Sequence, residues 1–296
     1  MRGRAFIALA AILTVAGRLE AGDTGVPDKQ PVYVGVRVCA RCHADAATGH
    51  QFSRWRTSKH AQAYAVLWSP EAKRIAKLSG IPQEPQAAVL CLGCHATGAH
   101  AEAWEKEDTF AVQDGMQCEH CHGPGSEYIA PEVMRDREKA VKAGLKFPDE
   151  RTCLMCHNVK GSHVAVLGSR VFDVKAGMKA IAHPTPKGNN QTAKDEGTDP
   201  EGGNPPAKAG GSAAGNKYTG VLACAACHDG PTMGYQFSKW RLSKHTQAYA
   251  VLGMPAGYKI AADEGVKGDP QRSLACLRCH TTGADAATER LASCFD

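Results

Sequence analysis

Residues 115–125 read GMQCEHCHGPG, and inside that string Cys118, Cys121 and His122 form a Cys-x-x-Cys-His set. The set recurs at Cys39-Cys42-His43, Cys91-Cys94-His95, Cys153-Cys156-His157, Cys224-Cys227-His228 and Cys276-Cys279-His280. Twelve of the 13 cysteines are therefore paired at one spacing, each pair followed at once by histidine. Cysteine at this density must be crosslinked, metallated or otherwise modified, which argues against a free-thiol cytosolic enzyme. Zinc ribbons use Cys-x-x-Cys knuckles but do not require the following histidine. Thioredoxin-type sites use one such motif in a βαβ pattern that is absent here, and structural disulfides would not repeat the spacing. Cys-x-x-Cys-His is the attachment signature of heme c: two thioethers fix the porphyrin edge and the adjacent histidine becomes the proximal iron ligand. The sequence thus predicts six covalently attached hemes c.

Composition agrees. The chain is 43% hydrophobic but only 6% aromatic, with 31 Gly and 16 Pro among 296 residues. That is thin material for a self-sufficient core, and flat apolar macrocycles would supply what the side chains lack. No stretch alternates convincingly as a strand, so the expected fold is mainly α with much irregular chain, organised around the hemes. The formal charge of +5 is too mild and too evenly spread to argue for nucleic acid. Heme propionates would make the loaded protein net negative, so the basic sequence does not define the partner surface.

The N-terminus places Arg2 and Arg4 ahead of the apolar run AFIALAAILTVA (residues 5–16), with small residues at Ala21-Gly22. This is the layout of a secretory signal peptide, residues 1–21. The run is too short to span a bilayer as a helix, and no later segment is apolar enough to do so. The expectation is an exported protein, periplasmic or extracellular, without a transmembrane segment in the mature chain.

Residues 51–67 read QFSRWRTSKHAQAYAVL and residues 236–252 read QFSKWRLSKHTQAYAVL. The offset that relates them also links Cys39 to Cys224, His60 to His245 and Cys91 to Cys276, which marks a duplication. Residues 22–183 read as a tetraheme domain. Residues 184–217, rich in Gly, Pro, Asn and Lys, read as a flexible linker. Residues 218–296 read as a second copy with two complete motifs. It ends at Cys294-Phe295-Asp296, which looks like the opening of a third motif, so a truncated second copy is expected. Within the copies, Ser58 and Ser243 are suitable N-caps for segments carrying His60-Tyr64-Leu67 and His245-Tyr249-Leu252. Residues 132–144 predict one charged surface helix stopped by Gly144.

The duplication also sorts the remaining histidines. His60 is matched by His245, whereas His50 aligns with Tyr235 and His100 with Asp285. The matched pair is favoured for distal iron ligation, and His50 and His100 for ordinary structural roles. His120, between the cysteines of its own motif, is expected to point away from that heme. Between His163 and His183, both after the fourth motif, spacing does not choose.

WRTSKHAQAYAVL after the first motif, CLGCHATG at the second, GMQCEHCHGPGSE at the third and RTCLMCHN at the fourth resemble the cytochrome c-552/4 type multiheme family. That family includes the tetraheme electron acceptor of hydroxylamine oxidoreductase. The resemblance covers about residues 33–183 and restarts at 218. It implies a multiheme cytochrome c fold in which His60 serves the third heme and His183, in KAIAHP, the fourth. It also implies a five-coordinate second heme. The first heme's distal histidine would follow the GPG after the third motif, where this chain has SEYIAPEV with Tyr128 instead. That heme is either open or borrows His163 or another residue.

Two functions follow. The favoured one is electron transfer between redox partner proteins through closely spaced hemes, in possible association with a membrane or periplasmic electron-transfer complex. The alternative is a heme enzyme acting on hydroxylamine, nitrite or nitric oxide at a five-coordinate heme. No distal acid–base constellation stands out for catalysis, so the carrier is preferred over the enzyme.

Overall fold

Each heme-attachment sequence lies at or near the end of a short helix. In five of the six the helix stops on the motif's histidine: Val36–His43, Val89–His95, Cys118–His122, Val221–His228 and Leu274–His280. The fourth, Glu150–Leu154, stops inside its motif after an Asp149 cap whose carboxylate accepts from the Thr152 amide at 3.0 Å. The computed structural model describes residues 30–169, 171–184 and 219–283. The expected signal peptide, the linker beyond Pro184 and Cys294 lie outside the described residues. Those that are described are helical, with short 3-10 turns, irregular connections and one isolated bridge between Tyr33 and Lys106.

Two local expectations change. Ser58 does not cap a helix; its hydroxyl is buried without a partner, and the chain after it makes two 3-10 turns, His60–Gln62 and Ala65–Trp68. Ser243 likewise gives its hydroxyl to the Trp240 carbonyl at 2.7 Å. The stretch 132–144 is two helices, Pro131–Met134 and Arg137–Lys142. Asp136 breaks it, because its carboxylate accepts from the Glu138 and Lys139 amides and starts a new helix.

The GMQCEHCHGPG string is the hub of the first copy. Glu119 is 2% exposed and accepts three backbone N–H groups, from Val34, Gly35 and Gly125, each at 2.8 Å. Two of these donors lie at the start of the first-motif helix, so the carboxylate complements that terminus. Gln117 takes the Val36 amide at 2.7 Å and donates to the Ala111 carbonyl. Trp55 donates its indole N–H to the Met116 carbonyl at 2.7 Å. Gly115, at φ 75°, passes so close to the His60 carbonyl that a Cβ would stand 2.7 Å from it. The third motif, the first motif and the His60 segment are thus fastened to one another.

The two copies pack together as a near-symmetric pair. Arg56 Nε donates to the Thr246 carbonyl at 3.1 Å, and its counterpart Arg241 donates to the Ala61 carbonyl at 3.0 Å. Gln86 donates to Ser238 at 2.8 Å, and its counterpart Gln271 to Ser53 at 3.0 Å. His50 and Tyr235 share a left-handed backbone, φ 53° and 55°; His50 Nε2 bonds Tyr258 at 2.8 Å, while Lys73, the counterpart of Tyr258, lies 5.0 Å over the Tyr235 ring. This reciprocity is the signature of an isologous interface, built here inside one chain.

One contact breaks the symmetry. Arg241 is 1% exposed and pairs with Asp114 at 3.1 Å, whose other oxygen meets Arg37 at 3.2 Å. Burial alone would raise the Asp114 pKa, but Arg37, Arg241 and Arg56 hold it below its ordinary value. A depressed carboxyl stabilises the fold above its unfolded pKa of about 3.9, and that contribution disappears as pH falls through the folded value. Asp114→Ala removes the buried carboxylate that Arg37 and Arg241 share. In guanidinium unfolding of the heme-loaded protein at pH 7 it should cost about 3–5 kcal/mol, with the gap to wild type narrowing below about pH 4. A difference below about 1 kcal/mol would show that the triad does not hold the copies.

Candidate heme-binding sites

Iron ligation needs a neutral imidazole with one nitrogen free and the other fixed by a hydrogen bond. Five motif histidines meet that requirement through Nδ1. His95 bonds the Ala63 carbonyl at 2.8 Å and His280 the Ala248 carbonyl at 2.6 Å. His122 bonds the Lys146 carbonyl at 2.8 Å. His43 and His228 bond the side-chain oxygens of Gln51 and Gln236. The carbonyl pair and the glutamine pair are each related by the duplication, so the anchoring was copied with the motifs. Nδ1 carries the proton in each case, which leaves the Nε2 lone pair for iron. His157 is held differently, stacked on Phe172 with centroids 4.0 Å apart and planes 13° from parallel. Gly177 makes room for that ring, since a Cβ there would meet Phe172 at 2.4 Å. Burial lowers the pKa of His43, His95, His122 and His157, which keeps them neutral and able to ligate.

Further histidines approach these imidazoles. His60 and His157 have ring centroids 6.0 Å apart, and so do His122 and His183. With metal–imidazole bonds of about 2 Å, rings at this separation could both reach one iron, so each pair could hold one heme. The resemblance implied His60 for the third motif and His183 for the fourth; the ring contacts are with His157 of the fourth motif and His122 of the third. His183 also lies close enough to His43 to lower its pKa. His163, on the Gly161–Leu167 helix, is near enough to His95 to perturb it in the same way, and its Nδ1 is buried without a partner. His120 sits near His60, with a buried, unpartnered Nε2. His245 is exposed and faces no ring among the described residues.

The other two histidines make different contacts. His50 is held by the Ala44 carbonyl and Tyr258. His100 lies over Gly93, where a Cβ would meet its Nε2 at 2.9 Å. Tyr128, in place of a histidine after the GPG, is buried and gives its hydroxyl to the Gly123 carbonyl.

The surroundings fit a large apolar group. Among the described residues Val36, Phe52, Trp55 and Ala61 form a small buried hydrophobic cluster, with Ala40, Ala44 and Cys118 packed against it. Several exposed apolar residues sit at the motifs: Val89 and Leu90 precede Cys91, Leu154 and Met155 lie between Cys153 and Cys156, and Val159 is 78% exposed just after His157. A macrocycle attached at each motif would cover such side chains. The cysteines are partly or fully exposed and form no disulfide among the described residues, leaving their sulfurs accessible for thioether bonds. Motifs also adjoin one another, since Cys39 is in hydrogen-bonding contact with Cys118 and Cys156 with Cys94.

What the sequence reading missed is the anchoring set: Gln51, Gln236 and the carbonyls of Ala63, Ala248 and Lys146. Both glutamines open the duplicated strings, so an available signal existed. The carbonyl acceptors carry no side-chain signature.

Comparison with known proteins bears on the same segments. Residues 38–123 and 223–293, just over half of the chain, match the family Cytochrome c554 and c-prime. Cytochrome c-554 of Nitrosomonas europaea is 29% identical over 146 residues, covering 44% of this chain and 60% of that relative. The chain therefore spans less than two thirds of that relative's length. No solved structure matches. No helix among the described residues is long and apolar enough to cross a membrane. The repeated attachment helices, the anchored imidazoles and the two matched segments place the chain in the Cytochrome c554 and c-prime family, as a multiheme c-type cytochrome with covalently bound heme c.

Proposed function

We propose that the chain is exported, carries six hemes c at its six motifs, and relays electrons between redox partner proteins. The observation that carries this reading is the pairing of imidazoles at 6.0 Å on motifs that adjoin one another. Heme supplies the one-electron chemistry when bound; the chain's residues fix the ligands, their protonation and the spacing. His43, His95, His122, His157, His228 and His280 are the proximal ligands. His60 serves the heme of the fourth motif, His183 that of the third, and His163 that of the second. His245 is the corresponding candidate of the second copy. Export is supported by the basic and apolar N-terminus, and the same topology admits a membrane or periplasmic electron-transfer complex as partner.

Assigning His163 to the second heme fills the position that the resemblance leaves open there, and the Tyr128 hydroxyl, which stands where the first heme's distal histidine would be, is engaged with the Gly123 carbonyl. The relay reading is therefore preferred to the enzyme.

Two measurements test it. Low-temperature EPR of the oxidised protein should show the second heme low-spin, and His163→Ala should add a high-spin signal equivalent to one heme that disappears with cyanide. An unchanged spin count in the variant would refute the assignment. Gln51→Leu removes the acceptor on His43 Nδ1 and makes that ligand less electron-rich. Losing a hydrogen bond worth about 1 kcal/mol should raise one midpoint potential by roughly 40 mV in spectroelectrochemistry, leaving the other potentials in place. A potential that stays where it was would show that Gln51 does not tune that heme.

A further inference from the structure

The contacts between the copies fall on the segments that hold the imidazoles. The helices Gln51–Arg56 and Gln236–Leu242 begin with the glutamines that anchor the first-motif histidines, His43 and His228. Each helix packs on a 3-10 turn of the other copy, Ala250–Gly253 or Ala65–Trp68. Those turns start two residues after Ala248 and Ala63, whose carbonyls anchor the second-motif histidines His280 and His95. Gln271 and Gln86, three residues ahead of the second-motif helices, reach serines on the same packed helices. Each first motif is thus joined through one helix to the second motif of the other copy.

One crossing is tied more closely. Asp229 follows His228 and accepts from Ser238 at 2.6 Å. Its carboxylate also lies against the buried phenol of Tyr64, the residue after Ala63.

We infer that the duplication builds one electron-transfer array, in which electrons cross between the first-motif heme of one copy and the second-motif heme of the other. The step moves one electron from ferrous iron in one copy to ferric iron in the other, with no bond made or broken. The protein holds the two sites in fixed register through the reciprocal Arg56 and Arg241 contacts, locked by Asp114. This inference rests on the relay reading above.

The test uses the full heme-loaded chain with a protease site inserted in the Gly/Pro-rich segment 185–217. After cleavage the two halves should co-elute in size exclusion. Substoichiometric reduction by dithionite in stopped flow should then be followed by a concentration-independent redistribution phase, at the rate of the uncut protein. In cleaved Arg241→Ala the halves should separate, and part of the redistribution should become concentration-dependent. Cleaved Asp114→Asn, which keeps the shape of the side chain, should do the same if Arg241→Ala does not assemble. Halves that separate without any substitution would overturn the inference. So would redistribution phases that are identical whether the halves are joined or apart. Heme content and reducibility measured on the same samples distinguish this failure from failure of the relay reading: protein that loads and accepts electrons, yet shows no cross-copy phase, contradicts only the inference.

Discussion

Covalent attachment of heme is the constraint on which the rest of this structure depends. Among the described residues nearly half of the buried hydrophobics are alanines, the clustered ones are Val36, Phe52, Trp55 and Ala61, and several exposed hydrophobics sit beside or inside attachment motifs. A fold with so little interior must take its core from elsewhere. The helices are correspondingly short, and five of six attachment helices stop at the histidine that would lie against the macrocycle. Their length follows from that task; they present a ligand and then turn away.

The polar architecture serves the same end. Nδ1 bonds orient the proximal imidazoles, and the buried Glu119 fastens the third motif to the start of the first-motif helix. Burying a carboxylate is costly unless its lone pairs are filled. Three backbone amides fill them, while desolvation still raises the Glu119 pKa overall. The second copy has no described counterpart of this hub. In place of one, Asp114 of the first copy's hub reaches across to Arg241, so the segment that organises one copy also fixes the other.

Much of this was legible in the sequence. The motif spacing points to heme c and to one histidine beside each cysteine pair, the thin core composition points to cofactor-filled interiors, and the duplicated string singles out His60, whose ring meets His157. Which motif His60 faces was not legible, because distal pairing depends on how the motifs stack and not on order along the chain. The resemblance supplied one order, and the structure brings His60 to His157 and His183 to His122. The joint between the copies was equally silent: Arg56 and Arg241 bond main-chain carbonyls, and a carbonyl acceptor has no residue type. Ser58 and Asp136 misled at short range in opposite senses: Ser58 has the chemistry of a cap and does not act as one, whereas Asp136, inside a charged run, caps a second helix, because a polar side chain is a cap only where the backbone turns the right way.

The central claim is that heme supplies the interior this chain lacks, and thermal unfolding of protein made without heme attachment tests it most directly. The chain with its cysteines unmodified should show no cooperative transition by circular dichroism, whereas the heme-loaded protein melts cooperatively. A sharp cooperative transition in the heme-free chain would mean that the side chains suffice to form the core, and would contradict the account.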